Sequence, residues 1–187
     1  MIPVLDHPTL REQVLPLTVA SYHLLSEAGL VDRKTELIRG FVLPKMSKSP
    51  RHSSLFLRLF RILSAHVPAG HSIRPEQPLT CHDSEPEPDI AIVKGGDEDY
   101  KLSHPTTALL VVEVSLSTED RDVEKIGIYA EADVCEYWLL RPDENCVDVF
   151  TNPEAGKYLN QRRLGIGDVI ESGALPGVKV ELGKLLA

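Results

Sequence analysis

A chain of 187 residues fits one domain and can bury a sizeable core, and 42% hydrophobic with 26% charged residues is the composition of an ordinary soluble globular protein. The net charge of −8 excludes a protein that coats nucleic acid through sheer positive charge. Three cysteines (Cys81, Cys135, Cys146) without a CxxC pair indicate neither a zinc site nor a disulfide framework.

Residues 1–16, with three prolines and no period, predict an extended arm ahead of a single domain over 17–187. That start has no basic stretch followed by an apolar run, and no apolar segment approaches the ~18 residues of a membrane span, so a cytoplasmic protein is expected. Thr18 as N-cap, Leu24 and Leu25 as an apolar face and Gly29 as terminator predict a helix to about Ala28. Thr35 to Leu43 reads as a strand pair or one bent strand, with Gly40 permitting the turn or bulge. A basic loop runs from Pro44 to Pro50. From Arg51 to about Val67, Leu55, Leu59, Ile62 and Leu63 recur at helical spacing with Arg58 and Arg61 on the other side, and His52 and His66 fall near the stripe.

Strands are expected near 72–80, 89–94 and 108–115, the last two nearly continuous in apolar character, as for strands covered on both faces. Another helix is expected over 120–132, then strands at 136–140 and 147–150 around the turn 141–145. The tail offers at most one or two short strands, near 158–164 and 178–182. The pattern is a mixed α/β domain.

Charge is unevenly spread. Arg33 to Arg61 holds eight basic residues against one acid, Glu36, a local charge of +7 that leaves −15 on the rest of the chain. A charge run of this kind is as often only a solvated face.

Two carboxylates stand out because each lies in an apolar stretch. Asp89 opens Asp89-Ile90-Ala91-Ile92-Val93, and Glu113 is enclosed in Leu109-Leu110-Val111-Val112-Glu113-Val114. A carboxylate there needs a cation, a hydrogen-bond network or water at the strand end. Side chains alternate along a strand, so if the two strands are neighbours both acids share one face. That outlines a site for Mg²⁺ or Mn²⁺, which bind through one or two carboxylates and keep several waters. The competing reading of Asp89 is a turn cap after Pro86 and Pro88. On the helix that follows, Asp122, Lys125 and Tyr129 fall on one stripe, which can turn Lys125 toward the sheet; otherwise Lys125 is a surface lysine paired with Asp122 or Glu124.

The ordered series Thr35-Glu36-Leu37-Ile38-Arg39-Gly40, Ser49-Pro50-Arg51-His52, Glu87-Pro88-Asp89-Ile90, Leu110-Val111-Val112-Glu113-Val114-Ser115, and Asp122 to Lys125 with Tyr129-Ala130 and Glu136-Tyr137-Trp138-Leu139 resembles the Uma2 family over roughly residues 16–152. The resemblance implies a restriction-endonuclease-like α/β fold with a mixed central β-sheet flanked by helices, within the PD-(D/E)XK nuclease superfamily. It implies a Mg²⁺-dependent endonuclease that hydrolyses phosphodiester bonds in DNA, with Mn²⁺ as a substitute ion. Asp89 is then the motif aspartate and Glu113 the second acid, the two that hold Mg²⁺, and Glu36 the additional acid that helps position a second metal ion or water. The chain departs from the superfamily pattern at Ser115, which stands where a lysine is expected; the resemblance implies Lys125, from the next helix, in its place.

Arg39, Lys45, Lys48, Arg51, His52 and Arg58 are the candidate phosphate contacts. Glu36 has the competing reading of a pair with Arg39 or Lys34 on an exposed strand, Glu87 that of a spectator, and His52 that of a cap or core residue. Tyr129, Tyr137 and Trp138 read as core packing. Ser115 and the net charge of −8 motivate an alternative, a nucleic-acid-binding or protein-interaction module that keeps the fold without turnover. Cutting both strands would favour a twofold dimer.

Overall fold

A computed structural model describes residues 7–45, 47–116 and 120–186. The first six residues of the expected arm, and Thr118 and Glu119 ahead of the predicted 120–132 helix, lie outside that description. Within the arm, Pro8–Arg11 forms a helical turn, α1, where continuous extension was expected. Helix α2 (Val19–Glu27) begins at Thr18, whose side chain accepts from the Ser21 amide.

Strands β1 (Thr35–Ile38) and β2 (Phe41–Pro44) form an antiparallel hairpin, the strand-pair form of the expectation. Arg39 and Gly40 both have positive φ, 50° and 77°, as a two-residue turn matched to strand twist requires. Glycine is needed at 40 for a second reason: a Cβ there would meet Pro16 Cβ at 2.3 Å. The hairpin thus seats on the chain segment that leads into α2.

Helix α3 (Pro50–Ser64) starts one residue before the expected Arg51, with Ser49 as N-cap and Pro50 in the first turn. Its buried stripe is His52, Leu55, Leu59 and Leu63, while His66, beyond its end, is exposed. A six-stranded sheet follows in the order β3-β4-β5-β6-β7-β8, built from β3 (His71–Pro75), β4 (Ile90–Lys94), β5 (Leu110–Val114), β6 (Glu136–Arg141), β7 (Cys146–Glu154) and β8 (Lys157–Gly165). All neighbours are antiparallel except β5 and β6, which run parallel because helix α4 (Asp120–Glu131) carries the chain back between them.

The sheet is covered on both sides. On one, Leu55, Leu59 and Leu63 of α3 pack with Ile90, Ile92, Leu110, Val112 and Trp138, together with the C-terminal segment β9 (Val169–Glu171), β10 (Lys179–Glu181) and α5 (Leu182–Leu186). On the other, Ile128 and Tyr129 of α4 and Ile38 of the hairpin pack on Val93, Val111, Tyr137 and Leu139. Tyr129, Tyr137 and Trp138 are fully buried, as expected of core residues.

Two expectations need correction. The strand over 72–80 stops at Pro75, because Glu76 turns the chain with φ of 52° into an irregular run. The tail is also richer than expected: the strands expected near 158–164 and 178–182 are present as β8 and β10, but β8 is a nine-residue member of the main sheet, β9 pairs with β10, and a helix follows over Leu182–Leu186. Most of β8 is exposed, so no apolar alternation marks it, and the pairing with β7 defines it. The three cysteines are free, and no helix among the described residues is long and apolar enough to cross a membrane.

Candidate active site

At one end of the sheet, side chains from the hairpin, Lys45, Ser47 and Lys48 after it, α3, Glu87 and Asp89 ahead of β4, β5 and α4 converge on a cleft of about 220 Å³. The antiparallel register that pairs Ile90 with Val112 puts Asp89 opposite Glu113, so the two acids do share a face. Glu113 is held from α4: Lys125 Nζ lies 3.1 Å from Oε2 and the Tyr129 hydroxyl donates to Oε1. Lys125 and Tyr129 reach the same carboxylate because they are four residues apart on one helix face. Lys125 is buried and also sits 3.2 Å from Glu36 Oε2. The surface-lysine reading is therefore excluded.

Asp89 is bound on both oxygens. The Val114 amide donates to Oδ2 at 2.8 Å, His52 Nε2 lies 3.0 Å from the same atom, and Lys48 Nζ is 3.1 Å from Oδ1. The other ring nitrogen of His52, Nδ1, is buried without a hydrogen-bond partner among the described residues. Glu36, only 4% exposed on β1, meets Arg121 Nη1 at 3.3 Å on its other oxygen. Its partners are thus Lys125 and Arg121 of α4, in place of Arg39 or Lys34. Glu87 lines the cleft and is paired with Lys45. The Ser115 hydroxyl donates to Asp122.

Burial and the excess of acids set the protonation of this cluster. Burial, with the Asp89 and Glu36 carboxylates adding to it and Lys125 opposing, pushes Glu113 up to about 7. Burial alone would depress Lys125, but Glu113 and Glu36 outweigh it and hold the ammonium above its ordinary value. Burial would likewise raise Asp89, yet the His52 contact, the Val114 amide and Lys48 bring it below the ordinary carboxylate range. Tyr129 is raised well above its ordinary value by burial beside Glu113 and stays a phenol donor.

Among the described residues no three Asp, Glu, His or Cys groups converge closely enough to cage a metal. The donor set does fit a less demanding ion. Asp89 and Glu113 offer hard oxygens from opposite strands onto open cleft, each with lone pairs beyond those its donors occupy. A dication would also relieve the crowding of negative charge that raises Glu113. Mg²⁺, which keeps several waters and takes one or two carboxylates, suits such a pair.

Of the candidate phosphate contacts, Lys45, Lys48 and His52 line the cleft. Arg39 is gripped by Glu131, Asp83 and Glu124. Arg51 pairs with Asp143, and Arg58 donates to the Leu185 carbonyl at 3.1 Å. Sequence reasoning missed Arg121, although it precedes Lys125 by four residues and so shares its face.

A comparison with curated proteins finds no match. Among solved structures the chain resembles the crystal structure of a "putative nuclease belonging to DUF820" from Anabaena variabilis, with a TM-score of 0.75 at 15% identity, covering 91% of this chain and 98% of that one. The shared architecture is the restriction-endonuclease-like fold. The model of the Uma2 family, described as "Putative restriction endonuclease", matches residues 21–183, and the chain therefore belongs to that family.

Proposed function

We propose that the protein is a Mg²⁺-dependent endonuclease that hydrolyses phosphodiester bonds in DNA, with Asp89 and Glu113 as the residues that hold the ion. The observation that carries this reading is the reach of Lys125 from α4 to within 3.1 Å of Glu113, which supplies beside the second acid the positive charge that Ser115 cannot. Bound there, the ion supplies Lewis acidity toward the phosphoryl oxygen and a water of lowered pKa. Lys125 orients the attacking water and steadies charge that develops on the phosphate. Glu36 keeps the Lys125 ammonium charged and aimed, and Arg121 balances Glu36. Lys48, 3.1 Å from Asp89 Oδ1 at the cleft, is close enough to contact a phosphate bound there. Attack in line with the leaving oxygen requires no covalent enzyme intermediate.

The engagement of both Asp89 oxygens by protein groups favours the second reading, a module that binds nucleic acid without turnover. Incubation of plasmid and single-stranded DNA with Mg²⁺ or Mn²⁺, then with EDTA, separates the two. Metal-dependent cleavage lost in Asp89→Ala and Lys125→Ala supports the nuclease; salt-sensitive binding without cleavage supports the module. Cleavage unaffected by both substitutions would refute the roles assigned.

A further inference from the structure

Next to the active-site cleft lies a second cavity of about 270 Å³, walled by Tyr22 and His23 of α2, Arg33, Pro78, Glu85 and His104. Lys45 and Glu87 line both spaces, so their ion pair is the partition between them. The two cavities differ in charge. The cleft sets five acids (Glu36, Glu87, Asp89, Glu113, Asp122) against four basic residues (Lys45, Lys48, Arg121, Lys125), a formal excess of one negative charge, whereas in the second space Arg33 and Lys45 formally cancel Glu85 and Glu87. No surplus positive charge remains there to hold a phosphate. His23, His104, Glu85 and Glu87 do not make a metal site either, since no three such groups among the described residues converge on one point.

The second cavity does hold one buried polar atom without a hydrogen-bond partner among the described residues. This is His104 Nδ1, and the exposed Arg33 guanidinium lines the same space. Burial holds His104 below its ordinary value, so the ring is neutral at physiological pH and presents one donor and one acceptor. Glu85, by contrast, is already fixed by His23 at 2.7 Å and by the Thr80 hydroxyl at 2.6 Å, which makes it a rigid wall. The space lies just under the ~300 Å³ at which small-molecule sites begin, too small for a peptide and suited to one planar ring. Its ligand is therefore neutral, compact and rich in hydrogen-bonding edges.

We infer that this cavity receives one unpaired nucleobase of the strand whose backbone occupies the active-site cleft. The inference rests on the nucleic-acid reading above and adds to it the class of substrate: a strand with an extruded or single-stranded nucleotide beside the scissile phosphate. The backbone crosses the Lys45–Glu87 partition, and the base turns into the cavity toward Arg33 and His104. A base held within a duplex cannot enter, because its edges are taken by its partner.

The test is binding of fluorescent single-stranded pentanucleotides by anisotropy, with Ca²⁺ in place of Mg²⁺ to prevent turnover. The intact oligomer is compared with versions that carry one abasic residue at each position in turn. At one position the abasic version binds at least about fivefold more weakly, as loss of a base contact predicts. In Arg33→Ala and His104→Ala the intact oligomer weakens and that position-specific penalty shrinks. Arg33 is exposed, so its replacement leaves the fold intact and isolates the contact. An equal penalty at every position, or one unchanged in both variants, overturns the pocket while the nucleic-acid reading survives. Failure of the intact oligomer to bind the wild-type protein overturns both.

Discussion

Replacing Lys125 with methionine removes an ammonium that touches both Glu36 and Glu113 while keeping an unbranched side chain of similar length. The two contacts are 3.2 and 3.1 Å long, and all three side chains are at most 10% exposed. Breaking a buried pair by removing one partner costs ~3–5 kcal/mol, because the carboxylates left behind are desolvated and uncompensated. For a domain of this size each kcal/mol moves Tm by ~2–4 °C, so a drop of roughly 6–20 °C is expected. Urea denaturation in EDTA measures the change free of any bound ion. Adding Glu113→Gln to Lys125→Met then recovers part of the loss, since the second change removes a carboxylate that the first orphaned. A Lys125→Met loss below ~1 kcal/mol, the range of exposed ion pairs, would show that the lysine is solvated and refute the buried cluster.

Mg²⁺ at a hundred times its dissociation constant should stabilise the wild-type protein by ~2.7 kcal/mol, an effect reversed by EDTA and missing in Asp89→Asn; a thermal shift retained by that variant would place the ion elsewhere. Gly40→Ala should cost about 1–3 kcal/mol, since φ of 77° and the 2.3 Å approach to Pro16 must both be relieved, and an unchanged urea midpoint would mean that the hairpin does not seat there. Asp148 is 1% exposed and receives both Arg163 and Arg141. Burial alone would raise it, but the two guanidinium groups hold it below its ordinary value of 3.8. Its contribution is therefore present above pH 3.8 and lost as pH falls through the lowered folded value. The stability gap between wild type and Asp148→Asn should narrow on acidification below pH 3.8; a gap that widens there contradicts the pairing.

The site's acids were legible because each broke a strong local pattern. Asp89 and Glu113 are carboxylates in runs of Ile, Val and Leu, and the two-residue strand period was enough to place them on one face. Helical spacing allowed Lys125 to face the sheet but left a surface lysine open as well, and only the family resemblance chose between them. Partners across the fold were not legible. Arg39, Arg51 and Arg58 sit in a basic run that suggested phosphate, yet Glu131, Asp143 and the Leu185 carbonyl, remote in sequence, claim them. In the fold, α3 carries a helical period and β4 and β5 nearly continuous apolar runs, whereas β8 owes its place in the main sheet to its hydrogen bonds with β7. The residues of β8 suggested a short strand near 158–164 but gave no sign of the sheet that would hold it.

Helix α4 is gripped from two sides. Inward, Lys125 and Tyr129 hold Glu113; outward, Arg39 at the hairpin tip binds Glu124 and Glu131 and lies across Gly127, where a Cβ would meet its Nη2 at 3.2 Å. A lysine on a strand inherits the stiffness of the sheet. One on a helix is only as well aimed as the helix is moored. Under the proposed mechanism the aim of the Lys125 charge thus depends on an arginine clasp on the far side of α4, and wear at that clasp would surface as misaligned chemistry in the cleft.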